Sequence, residues 1–255
     1  MIILISPAKT LDFKSFSPVQ EHTLPLLGHK ANYLAQRLRK LSSSKLAALL
    51  NISPKLAQLN VERYAEWSFL PEPAQSKQAM FAFDGDVYDG LMASTLNEAD
   101  IEFAQAHLRI LSGMYGVLKP LDLIQPHRLE MGTHFEAGKH RNLYQFWGKT
   151  PANLLLSDLK LHPSKVIINL ASMEYFKAVD KNLKSTRIIT PVFKELKAGQ
   201  LGIISLYAKK ARGMMSRFAI QHKITEPEHL KAFDEEGYFY NDSLSDKNVW
   251  VFARG

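Results

Sequence analysis

Ile203-Ile204-Ser205-Leu206-Tyr207-Ala208-Lys209-Lys210-Ala211-Arg212-Gly213-Met214-Met215-Ser216-Arg217 is the stretch whose reading decides the fold. An apolar run of strand type ends at Leu206 or Tyr207, and a cationic helical segment follows at once. At about 3.6 residues per turn, Ala211, Met215, Phe218, Ala219 and His222 share one stripe, the expected core face. Lys210 and Arg217 flank that stripe on one side, Lys209 and Arg212 on the other. Gly213 costs a helix roughly 1 kcal/mol relative to alanine, so its presence points to something approaching the backbone there. A helix that starts beyond a strand end offers free amides and a dipole to an anion. The segment reads as a phosphate-facing helix or as a solvated helix with an ordinary basic edge.

Upstream, the same succession of buried strand and polar loop recurs. Residues 2–5, Leu108–Leu111 and Lys165–Ile168 are short apolar runs without alternation, the pattern of strands buried on both faces. Each ends in polar residues: Lys9 and Thr10 after the first, Ser112 and Tyr115 after the second, Asn169, Ser172 and Tyr175 after the third. Gly113 and Gly116 suit close backbone approach to a ligand. In open α/β sheets ligands bind at the carboxyl ends of strands, so these three ends and the 203–217 segment are expected to converge on one cleft. Ala79–Phe83 reads as a strand. Asp84-Gly85 behind it reads as a turn whose acids position basic partners, and Arg128 and Glu130 read as an ion pair. Helices are expected over about 29–40, 98–107 and 143–161, with one more from Thr225-Glu226-Pro227-Glu228 to Phe233. Thr186–Glu195 and Leu201–Leu206 read as strands joined by a Lys197-Ala198-Gly199-Gln200 turn, and Gly237–Tyr240 with Val249–Phe252 as a final strand pair. Strands and helices interleave throughout and no linker separates two cores. The expectation is one mixed α/β domain over residues 1–255.

The segment at about 42–66 stands apart. Ser42–Ser44 offer an N-cap to a short helix ending near Leu50, and Ser53-Pro54 is a second start signal, a cap followed by proline. Two helices joined so tightly make a helical hairpin. Leu50-Asn51-Ile52-Ser53 with Ala57 resembles a helix-hairpin-helix, in which outward backbone amides grip DNA phosphates without reading bases. Asn51 and Ser53 stand where that motif prefers glycine. Asparagine tolerates left-handed backbone, and Ser53 serves as a cap instead. An ordinary helical hairpin is the alternative.

Composition narrows the chemistry. The 255 residues carry a formal net charge of +7 and no cysteine. The charge suits a polyanionic partner. The missing thiols exclude disulfides, disulfide-linked partners, thiolate nucleophiles, iron–sulfur clusters and cysteine-based zinc sites. The nine histidines are scattered without ligand spacing, so no metal site and no cofactor is expected. No apolar run reaches a membrane span, and a cytoplasmic protein without a membrane partner is expected.

Seven motifs occur in order: Ile5-Ser6-Pro7-Ala8-Lys9-Thr10-Leu11, Phe83-Asp84-Gly85-Asp86-Val87-Tyr88, Leu111–Asp122, Arg128-Leu129-Glu130-Met131-Gly132, Leu143-Tyr144-Gln145-Phe146-Trp147, Asn169-Leu170-Ala171-Ser172 and Tyr207–Gly213. Together they resemble the YaaA family of peroxide stress resistance proteins over nearly the whole chain. The resemblance implies an α/β fold carrying a helix-hairpin-helix element, a role in surviving peroxide, a link to lower intracellular free iron, and binding of DNA, duplex or structured. It implies no established reaction. The family usually has tyrosine where this chain has His127, which argues against a shared metal ligand there. On this reading Lys45, Asn51, Ser53, Lys55, Lys209, Lys210, Arg212 and Arg217 are the candidate DNA contacts. The alternative is an enzyme acting on a nucleotide or nucleic acid, with Lys9, Asp84, Ser112, Tyr115, Arg128 and Glu130 in the cleft.

Overall fold

Ile2-Ile3-Leu4-Ile5 form a strand, β1 (Ile2–Ile5), in which all four side chains are fully buried. A strand apolar on both faces belongs inside a sheet covered on both sides, and β1 lies between two parallel partners. The computed structural model describes residues 1–197 and 199–255. The further strands are β2 (Thr10–Leu11), β3 (Lys77–Gln78), β4 (Phe83–Asp84), β5 (Leu108–Ser112), β6 (Gly116–Leu118), β7 (Leu123–Ile124), β8 (Val166–Asn169), β9 (Arg187–Lys197), β10 (Gln200–Gly202), β11 (Phe239–Asn241) and β12 (Val249–Arg254). The central sheet runs β11-β12-β9-β8-β1-β5-β6, with β10 paired to β9. From β12 to β5 every pairing is parallel, and β6, β10 and β11 add antiparallel strands. Two ribbons, β2-β4 and β3-β7, lie outside it.

The helices are α1 (Gly28–Leu38), α2 (Ser43–Leu50), α3 (Pro54–Ala65), α4 (Ala79–Ala82), α5 (Asp86–Leu91), α6 (Glu98–His107), α7 (Leu143–Trp147), α8 (Thr150–Leu159), α9 (Met173–Phe176) and α10 (Ser205–Gln221). The expected mixed α/β architecture is present, with a mostly parallel sheet. Among the described residues no helix is long and apolar enough to cross a membrane.

The helical hairpin forms as its caps dictate. Ser42 accepts a hydrogen bond from the Lys45 amide and Ser53 from the Leu56 amide, and Pro54 opens α3. Asn51 closes α2 in the left-handed region at φ 50°. Leu46, Leu50, Ala57 and Tyr64 face inward, and Lys45 and Lys55 are exposed.

Several boundaries differ from the sequence-based expectations. The apolar run 201–206 is not one strand: β10 ends at Gly202 and α10 already begins at Ser205. Ile203 and Leu206 are exposed there, so their hydrophobicity does not mark a buried strand. The turn at Lys197–Gln200 includes Ala198, which lies outside the described residues. Ala79–Phe83 forms the short α4 plus the start of β4, because both ends of the segment are drawn into ribbons with β7 and β2. The helix expected over 143–161 breaks at Gly148, φ 53°, into α7 and α8. Pro227–Ala232 is a 3₁₀ turn rather than an α-helix. Ala211, Met215, Phe218 and Ala219 form the buried stripe of α10, whereas His222, one residue beyond the helix, is exposed.

What approaches Gly213 is another helix. A Cβ on Gly213 would lie 1.8 Å from the Val87 carbonyl oxygen, and one on Gly90 would lie 2.1 Å from the Lys210 carbonyl oxygen. α5 and α10 therefore cross backbone to backbone, each lacking a side chain where the other passes.

Candidate functional site

Parallel pairing of β8, β1 and β5 puts their carboxyl ends on one edge of the sheet. A cleft of about 510 Å³ opens there. Its walls come from the loop after β1, the β4–α5 turn, Glu130, Ser172 with the start of α9, and one side of α10. Within it, the Ser172 amide donates to the Ser6 hydroxyl at 2.8 Å, tying two strand ends together. The Tyr88 hydroxyl donates to the Ser6 carbonyl at 3.2 Å, fastening α5 to the same loop.

Three cations line the cleft. Lys209 pairs with Asp86 at 3.1 Å, and Lys9 stands 3.8 Å from Glu130. Arg212 forms no side-chain hydrogen bond or ion pair among the described residues, although it is half-buried and burial lowers its pKa. A guanidinium withdrawn from water without a counter-charge is unfavourable unless something else supplies the anion. Facing these cations are four carboxylates: Asp84, Asp86, Glu130 and Glu174. Glu174 accepts the Gly132 amide at 2.8 Å. Tyr175 is buried beside Glu174 and Glu130, and burial with those charges raises its pKa.

Arg128 and Glu130 form the expected pair, at 2.9 Å. The Tyr64 hydroxyl at the end of α3 donates to the Arg128 carbonyl at 2.7 Å, so the hairpin braces this segment from behind. The Arg128 Nε is buried without a partner among the described residues. Arg128 and Ser112 line a small recess beside the cleft rather than the cleft itself.

The Ser112–Gly116 loop does not present a ligand surface. A Cβ on Gly113 would lie 2.3 Å from the Leu129 carbonyl oxygen, so the chain's own 129–131 backbone takes the place expected for a ligand. Ser112 accepts the Tyr115 amide. Tyr115 turns into the core against Trp67 and His127, and its hydroxyl accepts the Gln125 amide at 3.0 Å. His127 is buried in that cluster, with its Nδ1 against the Gln125 carbonyl oxygen at 2.7 Å.

Around α10 the division expected from helical spacing is present. Lys209 and Arg212 face the cleft, whereas Lys210 binds Glu236 at 2.5 Å and Arg217 reaches the Met92 sulfur. The helix N-terminus does not open on the cleft, since no residue from Ile203 to Leu206 lines it. Lys45, Asn51, Ser53 and Lys55 belong to the hairpin and also do not line it. Ser53 is committed to its capping bond. Asp86, an acid of the turn expected to position basic partners, holds Lys209, and Glu174 is the acid that motif reading left without a site role. The signal for Glu174 was its place just past the third strand end. A larger depression of about 780 Å³ lies between the 13–22 and 73–78 segments, but its buried Lys77 is already bound to the Asp12 carbonyl and Ser15. It gathers residues of the β3-β7 ribbon but no strand end of the central sheet, so the smaller cleft is the better candidate. Among the described residues no three His, Asp or Glu side chains are grouped to hold a metal ion.

Comparison with known proteins agrees with the motif reading. A family model described as peroxide stress protein YaaA matches residues 1–244. A UPF0246 protein of Cupriavidus metallidurans is 49% identical over 257 aligned positions, covering 100% of this chain and 98% of that protein. A UPF0246 protein of Ralstonia nicotianae is 50% identical over 254 positions, covering 100% of this chain and 99% of its own length. One from Neisseria meningitidis serogroup A is 49% identical, with 100% and 98% covered. With the match running through every strand end that builds the cleft, the chain belongs to the YaaA family of peroxide stress proteins.

Proposed function

We propose that this chain acts in the peroxide response as a DNA-binding protein that grips backbone phosphates largely without reading sequence. The observation that carries the proposal is Arg212, a half-buried guanidinium lining a strand-end cleft and bound to no carboxylate among the described residues. A phosphate there would supply the missing counter-charge through charge-assisted hydrogen bonds. Lys209 and Lys9 stand on the same walls. The hairpin is a second contact, through exposed Lys45 and Lys55 and the turn at Asn51. The lowering of free iron is proposed to follow indirectly, and tight stoichiometric Fe²⁺ binding by the purified protein would overturn that part.

Fluorescence anisotropy of labelled duplex, single-stranded and junction DNA across a salt series tests the proposal. Affinity is expected to fall steeply with salt, and each lost phosphate contact to reduce the logarithmic slope by about 1. Arg212→Ala with Lys209→Ala reports on the cleft, Lys55→Ala on the hairpin. Binding that does not respond to salt, or that survives both sets of changes, removes the proposal.

A second reading is favoured by one observation: the cleft's three cations face four carboxylates. A groove made only to hold a polyanion has no use for that balance. A cleft acting on one nucleotide does, since Glu130 with Tyr175 beside it can exchange protons with a substrate held by Arg212. Glu130→Gln separates the two readings. If it binds DNA normally but fails to protect cells from peroxide, the enzyme reading gains. If protection is intact, that reading is lost.

A further inference from the structure

The chain has no cysteine and eight methionines. Six of those methionines are 4% exposed or less; Met92 and Met173 are 45% and 76% exposed. The two exposed sulfurs sit in different surroundings. Met173 has no hydrogen bond to its sulfur among the described residues. Met92 Sδ accepts a hydrogen bond from the Arg217 guanidinium at 3.0 Å. The buried Nε of the same guanidinium has no partner among the described residues.

Met92 is also misplaced by backbone preference. It closes α5 in the left-handed region at φ 47°, ψ 49°, where glycine or asparagine is the usual residue. A long thioether held there against that preference, under an arginine donor, points to use of the side chain.

We propose that Met92 is a peroxide-oxidisable site whose sulfoxide is held by Arg217. The Met92 sulfur gives an electron pair to one oxygen of hydrogen peroxide. The S–O bond forms as the O–O bond breaks, and the departing hydroxide takes the proton of the transferred hydroxyl and leaves as water. Sulfur is oxidised and peroxide is reduced. The thioether is a weak acceptor, whereas the sulfoxide oxygen is a strong one. Oxidation therefore turns a loose Arg217–Met92 contact into a charge-assisted hydrogen bond. That bond fastens the end of α5 to α10. The opposite end of α5 is already fastened by Asp86 to Lys209. Sulfoxide usually disrupts what it touches; here the donor is in place to receive it. The step is reversible by methionine sulfoxide reductases.

The test uses the full chain carrying Met173→Leu, treated with graded hydrogen peroxide and read by peptide mass spectrometry and thermal melting. Met92 is expected to gain one oxygen before any buried methionine, with the melting midpoint held or raised. In an added Arg217→Gln background the same oxidation is expected to lower the midpoint by about 2–4 °C. Because Arg217→Gln can itself weaken the fold, Met92→Gln and Met92→Leu are compared in the parent chain: the amide oxygen of Gln gives Arg217 an acceptor and Leu does not. A higher midpoint for Gln than for Leu supports the proposal. It is overturned if buried methionines oxidise first, if oxidation shifts the midpoint equally with and without Arg217, or if Leu equals or exceeds Gln.

Discussion

His127 shows how a single side chain is fixed by its surroundings. It stands edge-on to Trp67, Phe83 and Tyr115, and burial holds its pKa down at about 4 against an ordinary 6.5. The folded protein keeps this imidazole neutral, whereas the unfolded chain accepts a proton below pH 6.5. Stability from this group is therefore complete above pH 6.5 and is lost as pH falls toward 4, by about 3 kcal/mol in all. His127→Gln should flatten that part of the acid limb, measured by urea denaturation at pH 7, 5.5 and 4. An unchanged slope would mean that other groups set it. Histidine and tyrosine are both half-aromatic, half-polar, and the site asks for an aromatic edge plus one hydrogen bond. That is why His127 fits here as a core residue and why its sequence neighbours gave no metal-ligand spacing. Arg212 was legible as one of a flanking pair on a helix. That it lacks a partner among the described residues was not legible, because the partners of Lys209, Lys210 and Arg217 come from segments distant in sequence.

Among the elements, α10 depends on what it lacks at Gly213. Alanine there gains roughly 1 kcal/mol of helix propensity. It also drives a methyl group into the Val87 carbonyl oxygen, with backbone on both sides and no flexible side chain to give way. Overpacking of that kind costs about 1–3 kcal/mol or more, so Gly213→Ala should destabilise on balance, as should Gly90→Ala. A higher denaturation midpoint for either would mean that the crossing is looser than described. The hairpin gives the opposite expectation. Asn51 already occupies the left-handed position at φ 50°, so Asn51→Gly should be tolerated, while Asn51→Val should cost about 1–2 kcal/mol through backbone strain. Both are read from the urea midpoint. Elements defined by their own chemistry were legible: α6 falls on the expected residues because Asn97 and Asp100 form a capping box. α4 was not, because a short apolar run fits a helix or a strand equally and only the ribbons at its two ends decide.

At the scale of the whole molecule, the net charge of +7 is not gathered in the cleft, where carboxylates outnumber cations. Composition gives a positive excess that suits a polyanion, but it carries no information about which surface would meet one. The convergence of strand ends was legible only in part. β1 and β8 deliver their loops to the cleft, while the loop after β5 is roofed by the 129–131 backbone, a contact that no local pattern announces. The same architecture ranks the amides. Those of β1, held on both sides by parallel neighbours, should exchange with deuterium only on global unfolding, and those of the hairpin α2–α3 earlier. Hydrogen-exchange mass spectrometry that finds residues 2–5 less protected than residues 43–65 would contradict this.

The position of β1 also bears on how the chain acquires its structure. Ile3 pairs with Leu108 on one edge and with Ile168 on the other. Neither partner is close to β1 in sequence, so the middle of the sheet cannot close as a local hairpin and must wait for distant segments to be made and to find it. Loop closure of that span slows folding. Until both neighbours arrive, an entirely apolar strand stands open to other chains. During synthesis this protein should thus depend on chaperones for β1 more than for the helical hairpin, whose caps and turn close within its own residues.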